Sequence, residues 1–174
     1  MIFSKIIETP IGKMLACSVD EGICLLEYYD NPKLEFKLNK LADELNDSVA
    51  EQSNNAIELL ENQLGEYFEG NRKAFSVPLH LVGTDFQQKV WNYLLTIGYG
   101  KTITYKEQAL AMGDIKSIRA VATANGANKI PILVPCHRVV GSKGSLTGYS
   151  GGLWRKEFLL DLESHQYKIF NGQA

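Results

Sequence analysis

A cysteine, a histidine and an arginine stand in direct succession at Cys136-His137-Arg138. They lie inside an apolar run, with Ile130-Pro131-Ile132-Leu133-Val134-Pro135 before them and Val139-Val140 after. Groups this polar beside such a run cost free energy unless they are partnered. A free thiol has a reference pKa of about 8.5, and a neighbouring imidazole or positive charge lowers it, producing the nucleophilic thiolate near neutral pH. A histidine acting as base needs an orienting group, and the acids downstream are Glu157, Asp161 and Glu163. The commoner fate of a lone cysteine is that of a small buried hydrophobe, and a core histidine is often satisfied by backbone. For Cys136 the adjoining His137 and Arg138 argue against the first. Cys17 and Cys24 sit in strand patterns without basic neighbours and read as packing residues.

The chain that must position these groups has 174 residues, 45% hydrophobic and 22% charged, enough for one sizeable core or two small ones packed together. Changes of hydrophobic period divide it in two, at 1–82 and 83–174. In the first part, Ile2 to Glu8, Lys13 to Val19 and Ile23 to Tyr28 read as short strands. Thr9-Pro10-Ile11-Gly12 and Asp20-Glu21-Gly22 separate them, giving an antiparallel meander. No element is assigned between Tyr28 and Ser48. Ser48 with Glu51 can cap a helix whose Ile57, Leu60, Leu64 and Phe68 recur at helical spacing, and a further strand is expected over Ala74 to Leu79.

The second part opens at Thr84, which with Gln87 forms a capping-box pattern ahead of a helix carrying Phe86, Val90, Leu94 and Ile97. Thr104 and Glu107 repeat the cap for a short helix from Tyr105 to Met112. Gly113-Asp114 then turns the chain into another helix that runs to about Gly126. This is a helix-turn-helix outline, a pattern also common in helical cores. Its second helix has small residues at Ala120, Ala122 and Ala124 with Arg119 near its start, which suits close approach to a narrow groove and a side chain reaching into a duplex.

The net charge of -2 hides an asymmetry. Residues 1–100 carry 8 Lys/Arg against 15 Asp/Glu, whereas 101–174 carry 10 against 5, so a polyanion should meet the second part. Three cysteines at wide spacing argue for free thiols in a reducing compartment, and neither a basic-then-apolar leader nor a membrane-length apolar run is present. The expectation is a cytoplasmic protein with no membrane partner. No glycine-rich phosphate loop appears, nor a ligand cluster at zinc spacing.

Val134-Pro135-Cys136-His137-Arg138-Val139-Val140, Gly148-Tyr149-Ser150-Gly151-Gly152-Leu153 and Lys156-Glu157-Phe158-Leu159-Leu160 together resemble the O6-alkylguanine-DNA alkyltransferases, or methylated-DNA–protein-cysteine methyltransferases. The likeness extends back through Asn128, Arg119 and Tyr105 to about Thr84, and in the first part rests on Thr9-Pro10-Ile11-Gly12 and the strand order. It implies an α+β fold: a ribonuclease H-like antiparallel sheet with a helix, then a mostly helical DNA-binding domain holding the helix-turn-helix and the cysteine loop.

The same likeness assigns roles. Cys136 accepts an alkyl group from O6-alkylguanine, and from O4-alkylthymine, in double-stranded DNA, and the protein is spent. His137 is the base, through a bridging water, with Glu163 holding its ring; Asn128 braces the loop, and Tyr105 donates to the departing guanine. Tyr149, Ser150 and backbone from Val139 line the pocket. Arg119 fills the gap left when the base flips out, with Ala120, Thr104 and Arg138 also on the DNA side. No cofactor or metal is required, since Cys17, Cys24 and His80 offer only three ligands at a spacing that fits no closed zinc site. A monomer is expected.

Two other classes fit parts of this pattern. A lesion-binding protein of the alkyltransferase-like type shares the fold and DNA surface but lacks the cysteine, so Cys136 speaks against it. A thiol hydrolase would turn over repeatedly; adjacent cysteine and histidine point to opposite faces of an extended chain, which disfavours direct pairing.

Overall fold

The structure, a computed structural model, describes residues 1–164 and comprises two compact units, one spanning Met1–Val82 and one beginning at Gly83. In the first, β1 (Ile2–Thr9), β2 (Gly12–Val19) and β3 (Gly22–Tyr28) form the antiparallel meander, with Ile6 opposite Leu15 and Ala16 opposite Leu26. Every residue of β3 is buried. The sheet is mixed rather than purely antiparallel, because the two-residue β4 (Val49–Ala50) pairs parallel with Ile2 and Phe3.

Three first-unit expectations need correction. A helix, α1 (Leu34–Leu45), occupies the stretch that had no assignment. Its Leu34, Leu38, Leu41, Ala42 and Leu45 pack on Ile2, Leu15, Cys17 and Leu25. A part-buried ion pair adds to this, with Lys37 Nζ 2.6 Å from Glu27 Oε2. The next helix, α2 (Asn55–Phe68), begins later than the Ser48–Glu51 pattern predicts, because Val49 and Ala50 are taken by the sheet and Asn54 provides the cap, accepting from Ile57 N at 3.1 Å. The strand over Ala74 to Leu79 shrinks to one bridge, Leu79 with Ile23. Pro78 has no N–H to give a ladder, and its carbonyl instead accepts from Ile23 N at 2.9 Å. Gly22 (φ +143) permits this approach, since a Cβ there would meet Pro78 O at 2.5 Å.

In the second unit, α3 (Asp85–Leu94) starts with the full capping box between Thr84 and Gln87. It presents Val90, Trp91 and Leu94 to the core, and the Trp91 indole N–H donates to Ala124 O at 2.9 Å. Then come β5 (Ile103–Thr104), α4 (Tyr105–Ala111) capped by Thr104, a 3₁₀ turn and α5 (Ile118–Gly126). Gln108 and Asn125, both buried, exchange two hydrogen bonds of 2.9 and 2.7 Å and so clasp α4 to α5. The cysteine segment forms a 3₁₀ turn, Cys136–Arg138, followed by β6 (Val139–Val140), which pairs parallel with β5. Helix α6 (Leu153–Glu163) is the last element among the described residues. No helix among the described residues is long and apolar enough to cross a membrane.

Candidate active site

The loop before the cysteine is fixed from inside. Asn128, 3% exposed, donates through Nδ2 to Val134 O at 2.7 Å and accepts through Oδ1 from Ile130 N at 2.9 Å. Val134 N closes the turn on Ile130 O, and Ile132 within it is held at φ 75. Pro135 (φ -82, ψ 63) then makes an inverse γ-turn, with Cys136 N donating to Val134 O at 2.8 Å. Successive side chains of the following 3₁₀ turn diverge by about a third of a rotation. The thiol of Cys136 is partly exposed, while its neighbour His137 is wholly buried.

Helix α6 receives His137. Nε2 lies 2.8 Å from Glu163 Oε2, and among the described residues Nδ1 is buried with no hydrogen-bond partner. Burial lowers the pKa of His137, against the opposing pull of Glu163, so the ring is neutral near pH 7. Burial alone would raise the Glu163 pKa, yet hydrogen bonds from His137 and Arg138 outweigh it and hold the carboxyl well below the usual range. An ionised carboxylate accepts only, so the imidazole proton belongs on Nε2 and Nδ1 carries the lone pair. A basic nitrogen one residue from a thiol, oriented by a carboxylate, is an arrangement suited to nucleophile activation.

A second cluster is built from α4, α6 and the loop after β6. Tyr105, at the start of α4 and half-buried, donates its hydroxyl to Thr147 O at 3.2 Å. Burial raises its pKa, which keeps the phenol protonated. Lys156, fully buried, donates to Val139 O at 2.6 Å and Thr147 O at 2.7 Å, and its Nζ lies 5.8 Å from the Tyr105 ring centroid. Burial lowers its pKa, with the Cys136 sulfur acting in the opposite direction. Tyr149 is 8% exposed, Val139 is buried and Ser150 is exposed. On α5, Arg119 and Ala120 are exposed; Thr104 spends its hydroxyl oxygen on capping Glu107 N at 3.1 Å.

Arg138 departs from its expected place on the DNA side. It is 7% exposed, and its guanidinium is taken up by Glu163 (Nε 2.8 Å, Nη2 3.0 Å) and by the Ile97 carbonyl (Nη1 2.6 Å). Lys156 is the group the residue pattern did not single out for a role. A signal existed: Arg155, Lys156, Leu159, Leu162 and Glu163 form the buried stripe of α6, and charged residues on such a stripe need partners. Among the described residues no group of three or more His, Cys, Asp or Glu is placed to hold a metal ion.

Comparison with known proteins places this geometry. Residues 2–81 match the ribonuclease-like domain of 6-O-methylguanine DNA methyltransferase, and residues 85–165 match its DNA binding domain. A methylated-DNA–protein-cysteine methyltransferase of Methanosarcina barkeri is 40% identical over 167 residues, covering 96% of this chain and 100% of that protein. The crystal structure of Mycobacterium tuberculosis O6-methylguanine methyltransferase superposes with a TM-score of 0.81 at 37% identity, over 98% of this chain and 99% of the other. The M. tuberculosis OGT in complex with DNA gives 0.80 at 38% identity, over 94% of each chain. With both units matched and the identity sustained along nearly the whole length, the chain belongs to the 6-O-methylguanine DNA methyltransferase family.

Proposed function

We propose that this protein repairs DNA by direct reversal, moving a methyl or other alkyl group from O6 of guanine, or O4 of thymine, in double-stranded DNA onto Cys136. The observation that carries this reading is a partly exposed Cys136 next to a buried, neutral histidine whose Nδ1, among the described residues, has no hydrogen-bond partner. The family membership gives that pair its substrate class.

In this mechanism His137 Nδ1 takes the thiol proton, directly or through one water, while Glu163 stabilises the imidazolium that forms. The thiolate attacks the alkyl carbon, a C–S bond forms, and the C–O6 bond breaks with its electron pair passing to guanine. Tyr105 supplies a proton or hydrogen bond to the base as its charge develops, which helps only in the transition state. The thioether product has no easy way back, so each chain acts once and no diffusible donor is consumed. The exposed Arg119 on α5 would occupy the stack vacated by a flipped nucleotide. The excess of basic over acidic residues after position 100 supports DNA as the partner of the second unit. We further infer a cytoplasmic monomer, since one chain carries every group that the reaction uses.

The test is to expose the pure protein to a duplex containing a single O6-methylguanine and take an intact mass and a peptide map. One added methyl per chain on Cys136, abolished by Cys136→Ser, is expected. Repeated turnover, or a methyl on Cys17 or Cys24, would sink the proposal. Tyr105→Phe should slow transfer about 100-fold with DNA affinity nearly unchanged. Arg119→Ala should weaken base extrusion, detected with a fluorescent base beside the lesion.

A further inference from the structure

The Arg138 side chain has no part in the reaction as set out above, yet two of its three hydrogen bonds go to the carboxylate that holds His137. Its fork bonds both oxygens of Glu163, and the same carboxylate receives His137 Nε2. The third contact, to Ile97 O, fixes the guanidinium to the turn after α3, and the Tyr99 ring lies 5.9 Å from its Cζ. We infer that Arg138 is a positioning residue for the proposed transfer: its charge keeps Glu163 a carboxylate and His137 a neutral Nε2–H imidazole, leaving Nδ1 free to accept the thiol proton.

Uncompensated charge is expensive in a buried cluster. With Arg138 present, guanidinium and carboxylate cancel, and a neutral histidine completes a neutral buried cluster. Without it, the buried carboxylate would keep the imidazole and a long 3.5 Å contact from Gly100 N but no counter-charge from a guanidinium, and the cheapest remedy is to bind one proton. Whether that proton is drawn on His137 or shared with Glu163, the pair then lacks a vacant basic nitrogen at neutral pH. Both Arg138 and Lys156 act to lower the His137 pKa, and Glu163 acts to raise it. Lys156 cannot replace Arg138 on the carboxylate, since its Nζ is bonded to the Val139 and Thr147 carbonyls. From the turn after α3, Tyr99 faces the cluster as a neutral phenol, its pKa raised by burial and by Glu163. Among the described residues Asp161 lines the same cavity as Glu163, and the Cys136 thiol, next to His137 in the chain, holds the proton to be moved.

This inference rests on the alkyl-transfer reading, so its test needs a readout without DNA. The full chain with ¹⁵N-labelled histidine is titrated by NMR as wild type, Arg138→Gln and Arg138→Lys. Single-turnover transfer from an O6-methylguanine duplex is then followed from about pH 6 to about pH 9. Wild-type His137 should be neutral and protonated on Nε2 at pH 7. Arg138→Gln should show a proton bound to the pair at pH 7, with transfer slowed at least about tenfold there and the deficit narrowing as pH rises. Arg138→Lys, which keeps the charge, should retain the neutral ring and most of the rate.

A wild-type ring that is imidazolium or Nδ1–H at pH 7 overturns the inference, and this measurement stands even if Arg138→Gln does not fold. An Arg138→Gln spectrum identical to wild type, or a rate deficit equal at all pH values, marks Arg138 as a mere staple and also overturns it. A chain showing the expected spectra but no transfer would refute the function and leave the charge arrangement standing.

Discussion

Each unit of the molecule buries an ion pair, and each contains cysteine, but the outcomes differ. In the first unit Cys17 and Cys24 are fully buried in apolar surroundings, and burial, with Cys24 beside it, pushes the Cys17 thiol up to about 12. Glu27 is equally enclosed, and both of its oxygens are occupied, one by Lys37 and one by Tyr28 N at 2.9 Å. That network is closed, and it holds α1 to the sheet. In the second unit the carboxylate of Glu163 is engaged by Arg138 and His137, and among the described residues the network stops one bond short, at His137 Nδ1. The nearby thiol is only partly covered. A buried glutamate paired with a basic side chain, and a cysteine, are common to both regions. What separates them is one unfilled hydrogen-bonding position beside an accessible sulfur.

The contrast can be broken most sharply with a thiol reagent. Relative to an ordinary thiol, the Cys17 shift leaves about a thousandfold less thiolate at a given pH. In the native protein Cys136 should therefore react at least that much faster than Cys17, and the difference should vanish in denaturant. Comparable native labelling rates would erase the distinction.

Replacing the two buried carboxylates tests the networks themselves. Glu163→Gln leaves the Arg138 guanidinium buried without its counter-charge and should destabilise the second unit by about 3–5 kcal/mol. Trp91 and Trp154, the two tryptophans, both lie in that unit, so their fluorescence in urea reads it directly. Glu27→Gln should cost less, about 1–2 kcal/mol, because Lys37 is already part-exposed and can turn to water. Amide exchange in β3 would measure it.

Acid should weaken the second unit in two stages. The folded-state pKa values of both His137 and Glu163 are depressed, so the unfolded chain binds protons first. Stability is complete above about pH 6.5, begins to fall as unfolded histidine protonates, and falls further below about pH 4.5 as unfolded glutamate does. The tryptophan-monitored urea midpoint should follow that course, and a flat profile between about pH 7 and about pH 5 would contradict a neutral His137. Gln108→Ala should cost about 1–3 kcal/mol by stranding the Asn125 amide, and the smallest effect, about 1 kcal/mol, is expected of Thr84→Ala through loss of the α3 cap.

Much of this was legible in the residues, because strong local signals coincide with tertiary need. The meander is marked by its turns, and α3 and α4 by Thr84-x-x-Gln87 and Thr104-x-x-Glu107. The reading went astray where a local signal competed with a distant partner. Ser48 and Glu51 look like a cap, but Val49 and Ala50 are worth more to β1 than to a helix start. Leu34, Leu38, Leu41 and Leu45 had the period of a helix all along, without a side-chain cap to announce it. Around the cysteine, the family likeness put Arg138 on the DNA side. Its actual partners lie 41 and 25 positions away, at Ile97 and Glu163, and no local pattern encodes them.

Ile132 carries a last consequence. A branched side chain at φ 75 sits where backbone torsion favours glycine, at a penalty of about 1–3 kcal/mol. It is 1% exposed, so the side chain is anchored in the interior. The bend upstream of the sulfur is thus a loaded spring, kept wound by an apolar plug rather than by any torsional preference of its own. Swapping in glycine would relax the spring and pull the plug together, and the aim of Cys136 would drift although no atom of the thiol's own surroundings had been altered.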